Sequence, residues 1–572
     1  MFATGLSGFD FFPHRRLALN FDQELHAGVW YPRWLPDVNH GYGNPTFIFY
    51  NPLYYYVVSL CRLLVPGLEG AMYLAAFLGL LLSGLTMYQF ARQYLSPRAA
   101  TWAGLAYILL PYHAMNLYSR AALAEFWAMA WLPLILTQAT RLQRGHQAAI
   151  IGLAFSYAAL IYTHLCTAFL FSLFLVAYIL YLAWAAGNKW LRPLLAQGGG
   201  MVLGLGLGTA FLLPAVLEQP FVQIQLAHDL PWGNPLDNFL FAWPTYAAGF
   251  SLEVSIGAVL TLLVLWASYR VVCRVPRQDE AERMAYFFIG AGLATLILMT
   301  CLSWPLWKYL PILPSVQFPW RLLTITTLCA AFALGAAADH WSADQVSVTA
   351  VEWRRIRQLA LFLLLVPSLL WLGFVWWRFE PTSPPPRLLT IADVHKGLSS
   401  EELAQLAPII FQDRAWDILE FRPVWAPLAL PVIAPPAAWA QGHGFLQVSG
   451  WESLQRDVEI DSRRGGTIKL RTFYYPGWTG YLDGKPWPLA PDSRDGAIRL
   501  AIPPGKHHLV VAFERTPTRA LSEKISQSAL VFLLALGLLL WGCRLLSRKD
   551  RPLADCSDGH DPRVVISSAG TG

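Results

Sequence analysis

The sequence has little charge. Asp, Glu, Lys and Arg make up only 14% of its 572 residues, whereas 55% of the residues are hydrophobic. About a quarter of the residues are charged in a typical soluble domain, so this composition excludes an ordinary soluble enzyme. Apolar runs of about twenty residues, the length that crosses a bilayer, recur between short charged breaks. The composition therefore predicts a polytopic α-helical membrane protein.

Cysteine is also scarce. The seven cysteines lie in predicted spans, cytoplasmic loops or the C-terminal tail, and no CxxC pair occurs. These positions exclude a disulfide framework and a paired-cysteine metal site. The net charge of +6 comes from basic residues that are scattered through short loops. It therefore predicts no nucleic-acid partner.

The apolar runs predict about eleven spanning helices. The longest run, 150–182, has room for two spans with a break near His164. The other runs cover residues 71–90, 101–118, 123–137, 201–216, 252–268, 285–301, 322–338, 359–376 and 530–546. Lys and Arg fall in every second loop, and the positive-inside rule assigns these loops to the cytoplasm.

Residues 1–69 form a polar head, which the parity of the loops places outside the cell. Its apolar stretch 47–65 contains Pro52 and several tyrosines. We therefore expect an interfacial or re-entrant helix there and not a full span. No signal peptide precedes Gly8. Either an initial helix is missing from the start of the sequence, which we favour, or the rest of the fold delivers residues 1–65 to the outside.

The segment 15–30 of this head has the pattern of an amphipathic helix. Leu17 and Phe21 lie on its apolar side, which we expect to rest on the membrane surface. Asp22 and Glu24 lie on its polar side. The pattern therefore predicts that these two carboxylates belong to a solvated face and not to a site.

Residues 379–525 should form a second, extracytoplasmic domain that is mainly β. The proline-rich segment 381–386 breaks any helix, and 399–406 fits one short helix. Farther on the hydrophobic period changes to two, which predicts strands and hairpin turns in a small β-sandwich. The predicted strands are 467–474, 497–502 and 507–514, with a turn at Asp483 and Gly484. A last transmembrane helix, 526–547, and a disordered cytoplasmic tail, 548–572, would follow.

Two segments of this domain are similar to a known group. They read YPGWTGYLDGK at 475–485 and PPGKHHLVVAFE at 503–514. They resemble the outer β-domain of bacterial membrane proteins of the lipoteichoic-acid glycosylation (YfhO-like) group.

A longer series of motifs runs through the head and the membrane body, 70–378. The motifs are GFD (8–10), PRW (32–34), GYGNP (41–45), FYNPLYYY (49–56), RAALAEF (120–126), the pair at 163–164 and FPWR (318–321). In this order they resemble the bacterial membrane proteins labelled "6-pyruvoyl-tetrahydropterin synthase-related". Those proteins resemble the GT-C class of polyprenyl-phosphate-sugar glycosyltransferases. The label itself predicts no pterin chemistry, which needs a zinc-binding histidine cluster that this sequence lacks.

The resemblance implies a role for Asp10. Glycosyl transfer from a lipid phosphate needs a base for the acceptor and positive charge for the leaving phosphate. In GT-C enzymes an acidic residue of the first outer loop is the usual base or metal partner, and Asp10 stands at the matching position. In the alternative interpretation, Asp10 only caps the helix that follows it.

Three further residues are candidates because of where they lie in the predicted spans. Glu125 lies one turn into a span, and a buried carboxylate there needs a partner, a proton or a metal. Arg120 lies five residues earlier, a poor spacing for a pair on one helix face, so each should contact something else. His164 could bind phosphate or metal, or be an ordinary satisfied polar group.

Arg321 begins a span directly after Trp320. Its guanidinium could bind a lipid phosphate bidentately. In the alternative, it extends to the lipid head groups with Trp320 in the interfacial belt. Arg120, His164, Trp320 and Arg321, together with Tyr50 of the FYNPLYYY motif, form the predicted substrate-binding set, with Asp10 and Glu125 as the catalytic pair.

The sequence thus predicts a GT-C-like glycosyltransferase of the bacterial plasma membrane, with its site facing outward. Its partners would be the bilayer and a polyprenyl-phosphate sugar; the acceptor is open. The residues assign no definite cofactor, and a divalent cation, Mg²⁺ or Mn²⁺, at Asp10 stays open. The alternative is a non-catalytic transporter or flippase, or a cell-envelope assembly scaffold. Convergence of Asp10, Glu125 and Arg321 on one cavity would favour the enzyme.

Overall fold

The structure is a computed structural model. It describes residues 8, 10–226, 235–242, 248–274, 278–310, 312–341, 418–427, 436–441 and 445–549. The predicted span 359–376, the proline-rich segment 381–386 and the short helix 399–406 lie outside the described residues, as does nearly all of the tail 548–572.

Fifteen α-helices are numbered in chain order within the described residues. The head contains α1 (Phe11–His26), α2 (Thr46–Phe49) and α3 (Leu53–Arg62). The membrane body contains α4 (Leu68–Ala91), α5 (Pro97–Leu109), α6 (Pro111–Ala114), α7 (Leu123–Gln143), α8 (Ala149–Thr163), α9 (Leu165–Ala185), α10 (Leu191–Leu217), α11 (Ala248–Val272), α12 (Glu280–Leu298), α13 (Trp304–Tyr309) and α14 (Leu323–Trp341). The last helix is α15 (Pro517–Lys549).

The prediction of a polytopic helical protein is confirmed. Seven helices of the described part are long and apolar enough to cross a membrane. They cover Leu68–Ala91, Leu165–Ala185, Leu191–Leu217, Phe250–Val272, Glu280–Leu298, Pro319–His340 and Pro517–Gly542. The break that was predicted near His164 is present, because α8 ends at Thr163 and α9 begins at Leu165.

One predicted span is not a single helix. The apolar run 101–118 is divided at Leu110, where the backbone is extended, and Pro111 then begins the short helix α6. A π-helical segment, Met115–Ser119, follows and ends next to Arg120. Proline lacks the N–H that would continue α5, which accounts for the division. π-Helical turns are rare and are frequently found at functional sites.

The helix α1 corrects the prediction for the head. Leu17 and Phe21 are buried, but they pack on α3 and α4 and do not rest on a membrane surface. Asp22 and Glu24, however, are not on a solvated face: their side chains are almost fully buried. Asp22 forms an ion pair with Arg62 of α3, and Glu24 accepts a hydrogen bond from Ser453 Oγ at 3.1 Å.

The reason for this correction is that α1 has protein on both sides. Its apolar side packs on α3 and α4, and its polar side meets α3 and the β-domain. A pattern of polar and apolar residues identifies two faces but does not tell whether the polar face meets water or a second domain. The helices α2 and α3 are both too short to cross a bilayer.

The C-terminal β-domain has two antiparallel sheets. Its strands are β1 (Ala438–Gln441), β2 (Phe445–Trp451), β3 (Gln455–Ser462), β4 (Gly466–Phe473), β5 (Trp478–Leu482), β6 (Lys485–Trp487), β7 (Ala490–Pro491), β8 (Ala497–Ile502) and β9 (Gly505–Phe513). The sheet orders are β1-β4-β8-β7 and β2-β3-β9-β5-β6. Apolar residues of both sheets share one core, as in the predicted sandwich. Asp483 and Gly484 turn the β5–β6 hairpin with positive φ.

A buried ion pair joins this domain to the bundle. Arg519, near the start of α15, donates to both carboxylate oxygens of Glu218, which follows α10, at 2.9 and 2.8 Å. Tyr475 of the β-domain also donates to Glu218, at 2.9 Å. A bidentate pair of this kind neutralises both charges and fixes the relative orientation of the two side chains. The β-domain is therefore held beside the ends of α10 and α15.

Candidate functional site

Four charged side chains meet where α1, α7 and α14 begin. Arg120 lies between two carboxylates, with Nη2 at 4.0 Å from Asp10 Oδ2 and Nη1 at 3.0 Å from Glu125 Oε2. Arg321 Nε lies 3.5 Å from the same Glu125 oxygen. The order Asp10, Arg120, Glu125, Arg321 thus alternates in charge. Asp10, Glu125 and Arg321, which are distant in sequence, converge on one place.

The position of Asp10 depends on a close backbone contact. The Asp10 N–H donates to the Arg120 carbonyl at 2.7 Å. Gly8 lies against the same peptide, and a Cβ at this position would be 2.4 Å from the Arg120 carbonyl carbon and 2.5 Å from the Ala121 nitrogen. Only glycine allows the chain to approach so closely. The GFD motif therefore fixes Asp10 beside Arg120.

Arg120 and Glu125 form an ion pair, although their spacing predicted that they would not. The spacing argument assumed that both residues belong to one helix. Arg120 instead lies before α7, and Ala121 has a positive φ of 55° that turns the backbone. The turn lets Arg120 point back to Glu125, so helical spacing does not apply. Its guanidinium also donates to Asn116 Oδ1 at 2.7 Å.

Glu125 is fully enclosed, as the prediction of an inward-facing carboxylate requires. Its side chain is 1% exposed. One oxygen accepts from the Tyr112 hydroxyl, and the other faces Arg120 and Arg321. A buried carboxylate is costly unless its charge and lone pairs are matched in this way. Glu125 thus holds two guanidinium groups in place.

Arg321 points into the cluster and not outward to lipid. Its Nη1 donates to the Val316 carbonyl at 2.9 Å, and its guanidinium lies over the Phe318 ring. Its Nε, buried at 3.5 Å from Glu125, has no hydrogen-bond partner among the described residues. Trp320 is likewise buried, and its ring packs on the Arg120 guanidinium at 4.6 Å. The inward packing of both side chains favours a role for Arg321 in the cluster over a head-group contact with Trp320 in the interfacial belt.

Asp10 is the accessible member of the cluster. Its side chain is 45% exposed, whereas that of Arg120 is 8% exposed. It immediately precedes α1, at the N-cap position, but its side chain makes no capping hydrogen bond. Burial among the surrounding groups raises the pKa of the Asp10 carboxyl above 3.8, and Arg120 and Arg321 oppose this shift. The carboxylate is thus available to a ligand.

His164 lies at the break between α8 and α9. Its Nδ1 accepts a hydrogen bond from the Thr167 N–H at 3.3 Å, so the side chain caps α9. Burial lowers the pKa of His164 to about 3; the Glu125 carboxylate opposes this shift and Arg321 adds to it. A neutral imidazole is what this cap requires, because Nδ1 must be an acceptor.

Tyr50 and His14 form the wall of the site next to Asp10. Burial raises the pKa of Tyr50, and the Asp10 carboxylate raises it further, so its hydroxyl stays neutral. His14 is buried, contacts the Tyr50 ring edge on and shares a hydrogen bond of 2.8 Å with the Tyr55 hydroxyl. Tyr50 and His14 are therefore neutral, and Asp10 is the charged group on this side of the site.

The chain matches the model of a known protein family. The family model of the 6-pyruvoyl-tetrahydropterin synthase related domain, described as a membrane protein, matches residues 47–372, more than half of the chain. The chain belongs to this family. The family match contains Arg120, Glu125 and Arg321 but leaves out Asp10 and the β-domain. A search of curated proteins finds no match.

Solved structures add a distant similarity. ArnT from Cupriavidus metallidurans, bound to undecaprenyl phosphate, is 15% identical to this member of the family. The alignment covers 73% of this chain and 93% of that chain, with a TM-score of 0.33. A similarity at this level carries no conclusion about activity.

The site of this family member does not suit a divalent cation. The described residues contain no group of three or more His, Cys, Asp or Glu side chains that could hold a metal. Both oxygens of Glu125 are already engaged by hydrogen-bond donors and guanidinium groups. Asp10 would remain as a single carboxylate ligand, facing Arg120. The positive charge of the site comes from arginine.

Several residues of the site were missed in the sequence. Asn51 holds the break at His164: its amide donates to the Ile161 carbonyl, and its oxygen accepts from the Leu165 N–H at 3.2 Å. Tyr112 and Asn116, partners of Glu125 and Arg120, lie in what was taken as one span. A cluster of polar residues inside an apolar run was the signal for them. For His14, no such signal exists.

Proposed function

We propose that the protein is an integral membrane glycosyltransferase that transfers a sugar from a polyprenyl-phosphate donor to an extracytoplasmic acceptor. The observation that carries this proposal is the accessible Asp10 carboxylate beside Arg120, with Arg321 joined to the same cluster through Glu125. The transfer requires a base for the acceptor and fixed positive charge for the leaving phosphate. The order of the GFD, RAALAEF and FPWR motifs resembles that of the 6-pyruvoyl-tetrahydropterin synthase-related proteins, which in turn resemble GT-C glycosyltransferases, and this agrees with the proposed chemistry.

Arg321 and Arg120 would bind the phosphate of the donor. A guanidinium presents several N–H donors in one plane and keeps its charge at all relevant pH values. Arg321 is held in the cluster by the Glu125 carboxylate and by the Val316 carbonyl, which fixes the orientation of its guanidinium. Arg120, stacked on Trp320, is held at a fixed orientation. Two fixed guanidinium groups would stabilise the charge that develops on the phosphate as its bond to the sugar breaks.

Asp10 would act as the base. It would accept the proton of the acceptor hydroxyl while the acceptor oxygen attacks the sugar carbon, and the phosphate would leave with the electron pair of the broken bond. Its half-exposed carboxylate is within reach of an acceptor hydroxyl, which a general base requires. Glu125 would not touch the substrate: we assign it the positioning of the two guanidinium groups.

The site would face the outside of the plasma membrane. This orientation follows from the distribution of Lys and Arg over alternate loops. The charged cluster includes Asp10 of the head, and the head and the end of α10 both contact the β-domain, through Glu24 and Glu218, so the head, the cluster and the β-domain are grouped together. All three would then be extracytoplasmic, where an acceptor lipid, polymer or protein is found.

The proposal is tested by assaying sugar transfer from a panel of polyprenyl-phosphate sugars in vesicles. Wild type is compared with Asp10→Asn, which removes the base from a half-exposed position and should fold normally. We expect transfer by wild type and a loss of at least about a hundredfold in the variant. Full activity of Asp10→Asn would show that the base lies elsewhere. No transfer from any donor would favour the transporter, flippase or scaffold alternatives.

A further inference from the structure

A pocket lies apart from the charged cluster. It has a volume of about 690 Å³ and is bounded by the head, α3, α8, α10, β9 and α15. Its lining includes Trp30, Arg33, Tyr56, Phe513 and Glu523, and none of the four clustered charges. This volume is within the usual range of small-molecule sites. The segment Asn51–Tyr56 separates the two sites, since Tyr55 faces His14 and Tyr56 lines the pocket.

The positive and negative charges at this pocket balance each other. Arg33 Nη1 lies 2.7 Å from one oxygen of Glu523, and Arg515 Nε lies 3.3 Å from the other. Glu514 supplies a second carboxylate, and Arg519, which also lines the pocket, is neutralised by Glu218. Such a lining offers donors and acceptors side by side without net charge. It suits a neutral ligand rich in hydroxyl groups better than an anion.

Aromatic side chains form much of the remaining wall. Trp30 is 84% exposed, so most of its ring surface is open to a ligand. The Arg33 guanidinium packs over the Tyr31 ring at 4.3 Å, and the Tyr56 hydroxyl donates to the Trp30 carbonyl, which fixes this edge. A pyranose ring has an apolar C–H face that packs on an aromatic ring and a rim of hydroxyl groups that bond to carboxylates and guanidinium groups.

We propose that this pocket binds a neutral carbohydrate chain of a few sugar units. The aromatic face of Trp30 would stack on a sugar ring, and Arg33, Arg515 and Glu523 would bond to its hydroxyl groups. This proposal concerns a site distinct from the one assigned to the donor. It holds whether the charged cluster transfers a sugar or not.

The test measures carbohydrate binding to the full chain in phosphatidylcholine nanodiscs. Maltotriose, chitotriose and mannotriose are offered in turn, and binding is followed by saturation-transfer difference NMR. The variants are Trp30→Ala and Arg515→Gln, which alter exposed side chains and should fold. Trp184→Ala, at a tryptophan that is 75% exposed and does not line the pocket, is the matched control.

We expect wild type to bind at least one trisaccharide. Trp30→Ala and Arg515→Gln should each weaken this binding by about tenfold or more, which corresponds to about 1.4 kcal/mol. Trp184→Ala and Asp10→Asn should leave it unchanged, which separates this pocket from the charged cluster. No binding by wild type, or equal binding by Trp30→Ala, would overturn the proposal.

Native mass spectrometry of the same samples tests the competing occupant. A phospholipid that wild type retains and Trp30→Ala loses, without trisaccharide binding, would identify a lipid head-group site instead. That result would also overturn the carbohydrate proposal.

Discussion

At the scale of single residues, Glu125 is the side chain of the site whose charge matters most for stability. It is a fully buried carboxylate that faces two guanidinium groups. When one partner of a buried pair is removed, the remaining charge stays buried and uncompensated, which costs about 3–5 kcal/mol. We therefore predict that Glu125→Gln lowers the free energy of unfolding by an amount of this order, measured by denaturant titration in detergent.

The matched control for this prediction is Glu280→Gln. Glu280 pairs with Arg144 on the surface and is 59% exposed. Exposed pairs contribute at most about 1 kcal/mol, so this variant should unfold almost as wild type does. Equal stability of Glu125→Gln and Glu280→Gln would contradict the role assigned to Glu125.

Gly8 provides a second prediction at this scale. In Gly8→Ala the new Cβ would collide with the Arg120–Ala121 peptide, so the segment that carries Asp10 must move. We expect transfer activity to fall by at least about tenfold while the thermal stability of the bundle is kept, because a small displacement of a catalytic group is costly. Gly67→Ala is the control, since open space surrounds Gly67. An active Gly8→Ala protein would show that this contact does not position the base.

The sequence was sufficient to propose the charged members of the site but not their pairing. Asp10, Glu125 and Arg321 stand out as ionisable residues at the ends of apolar segments. The contact of Arg120 with Glu125 could not be predicted, because it depends on the positive φ of Ala121. Similarly, whether Arg321 turns inward depends on the fold, since length and charge allow either direction.

At the scale of elements, long periodic segments were predictable and breaks were less so. The helix break at His164 follows from the length of the apolar run, and the strands β4, β8 and β9 follow from the period of two. The division at Pro111 was missed, although proline is a known signal for it. The buried polar face of α1 could not be predicted, because the β-domain that covers it is about 430 residues away in sequence.

The contact between α1 and the β-domain should respond to pH. Burial raises the pKa of Glu24 from 4.5 to about 7, while the hydrogen bond from Ser453 opposes the shift and Asp37 adds to it. The folded state therefore holds this proton more tightly than the unfolded state. The resulting stabilisation is complete below about pH 4.5, declines as the pH rises to about 7 and is then lost.

We predict that wild type loses up to about 3 kcal/mol of stability over this interval through Glu24. Glu24→Gln, which imitates the protonated form, should lack this part of the pH dependence. The measurement is thermal unfolding of both proteins in one detergent at several pH values between 4.5 and 8. Parallel curves for the two proteins would exclude Glu24 as the responsible group.

At the scale of the whole molecule, the proposed orientation can be tested with two natural cysteines. Cys273 and Cys301 are both exposed. Cys273 lies in the connection between α11 and α12, and Cys301 lies after the C-terminal end of α12. The distribution of basic loops predicts that Cys273 is cytoplasmic and Cys301 extracytoplasmic. In single-cysteine variants, a membrane-impermeant maleimide should label Cys301 in intact cells and Cys273 only after permeabilisation. The reverse pattern would place the charged cluster inside the cell.

The most direct test of the proposed site is the binding of a non-transferable donor, a phosphonate analogue of a polyprenyl-phosphate sugar. Wild type, Asp10→Asn, Arg321→Lys and Arg321→Gln are compared in nanodiscs, with thermal stability measured in parallel. If the arginines bind the phosphate and Asp10 acts as base, Asp10→Asn should bind as tightly as wild type, whereas Arg321→Gln should bind at least about tenfold more weakly. Arg321→Lys should be intermediate. Unchanged binding by a folded Arg321→Gln protein would contradict the assignment of this cluster to the donor phosphate.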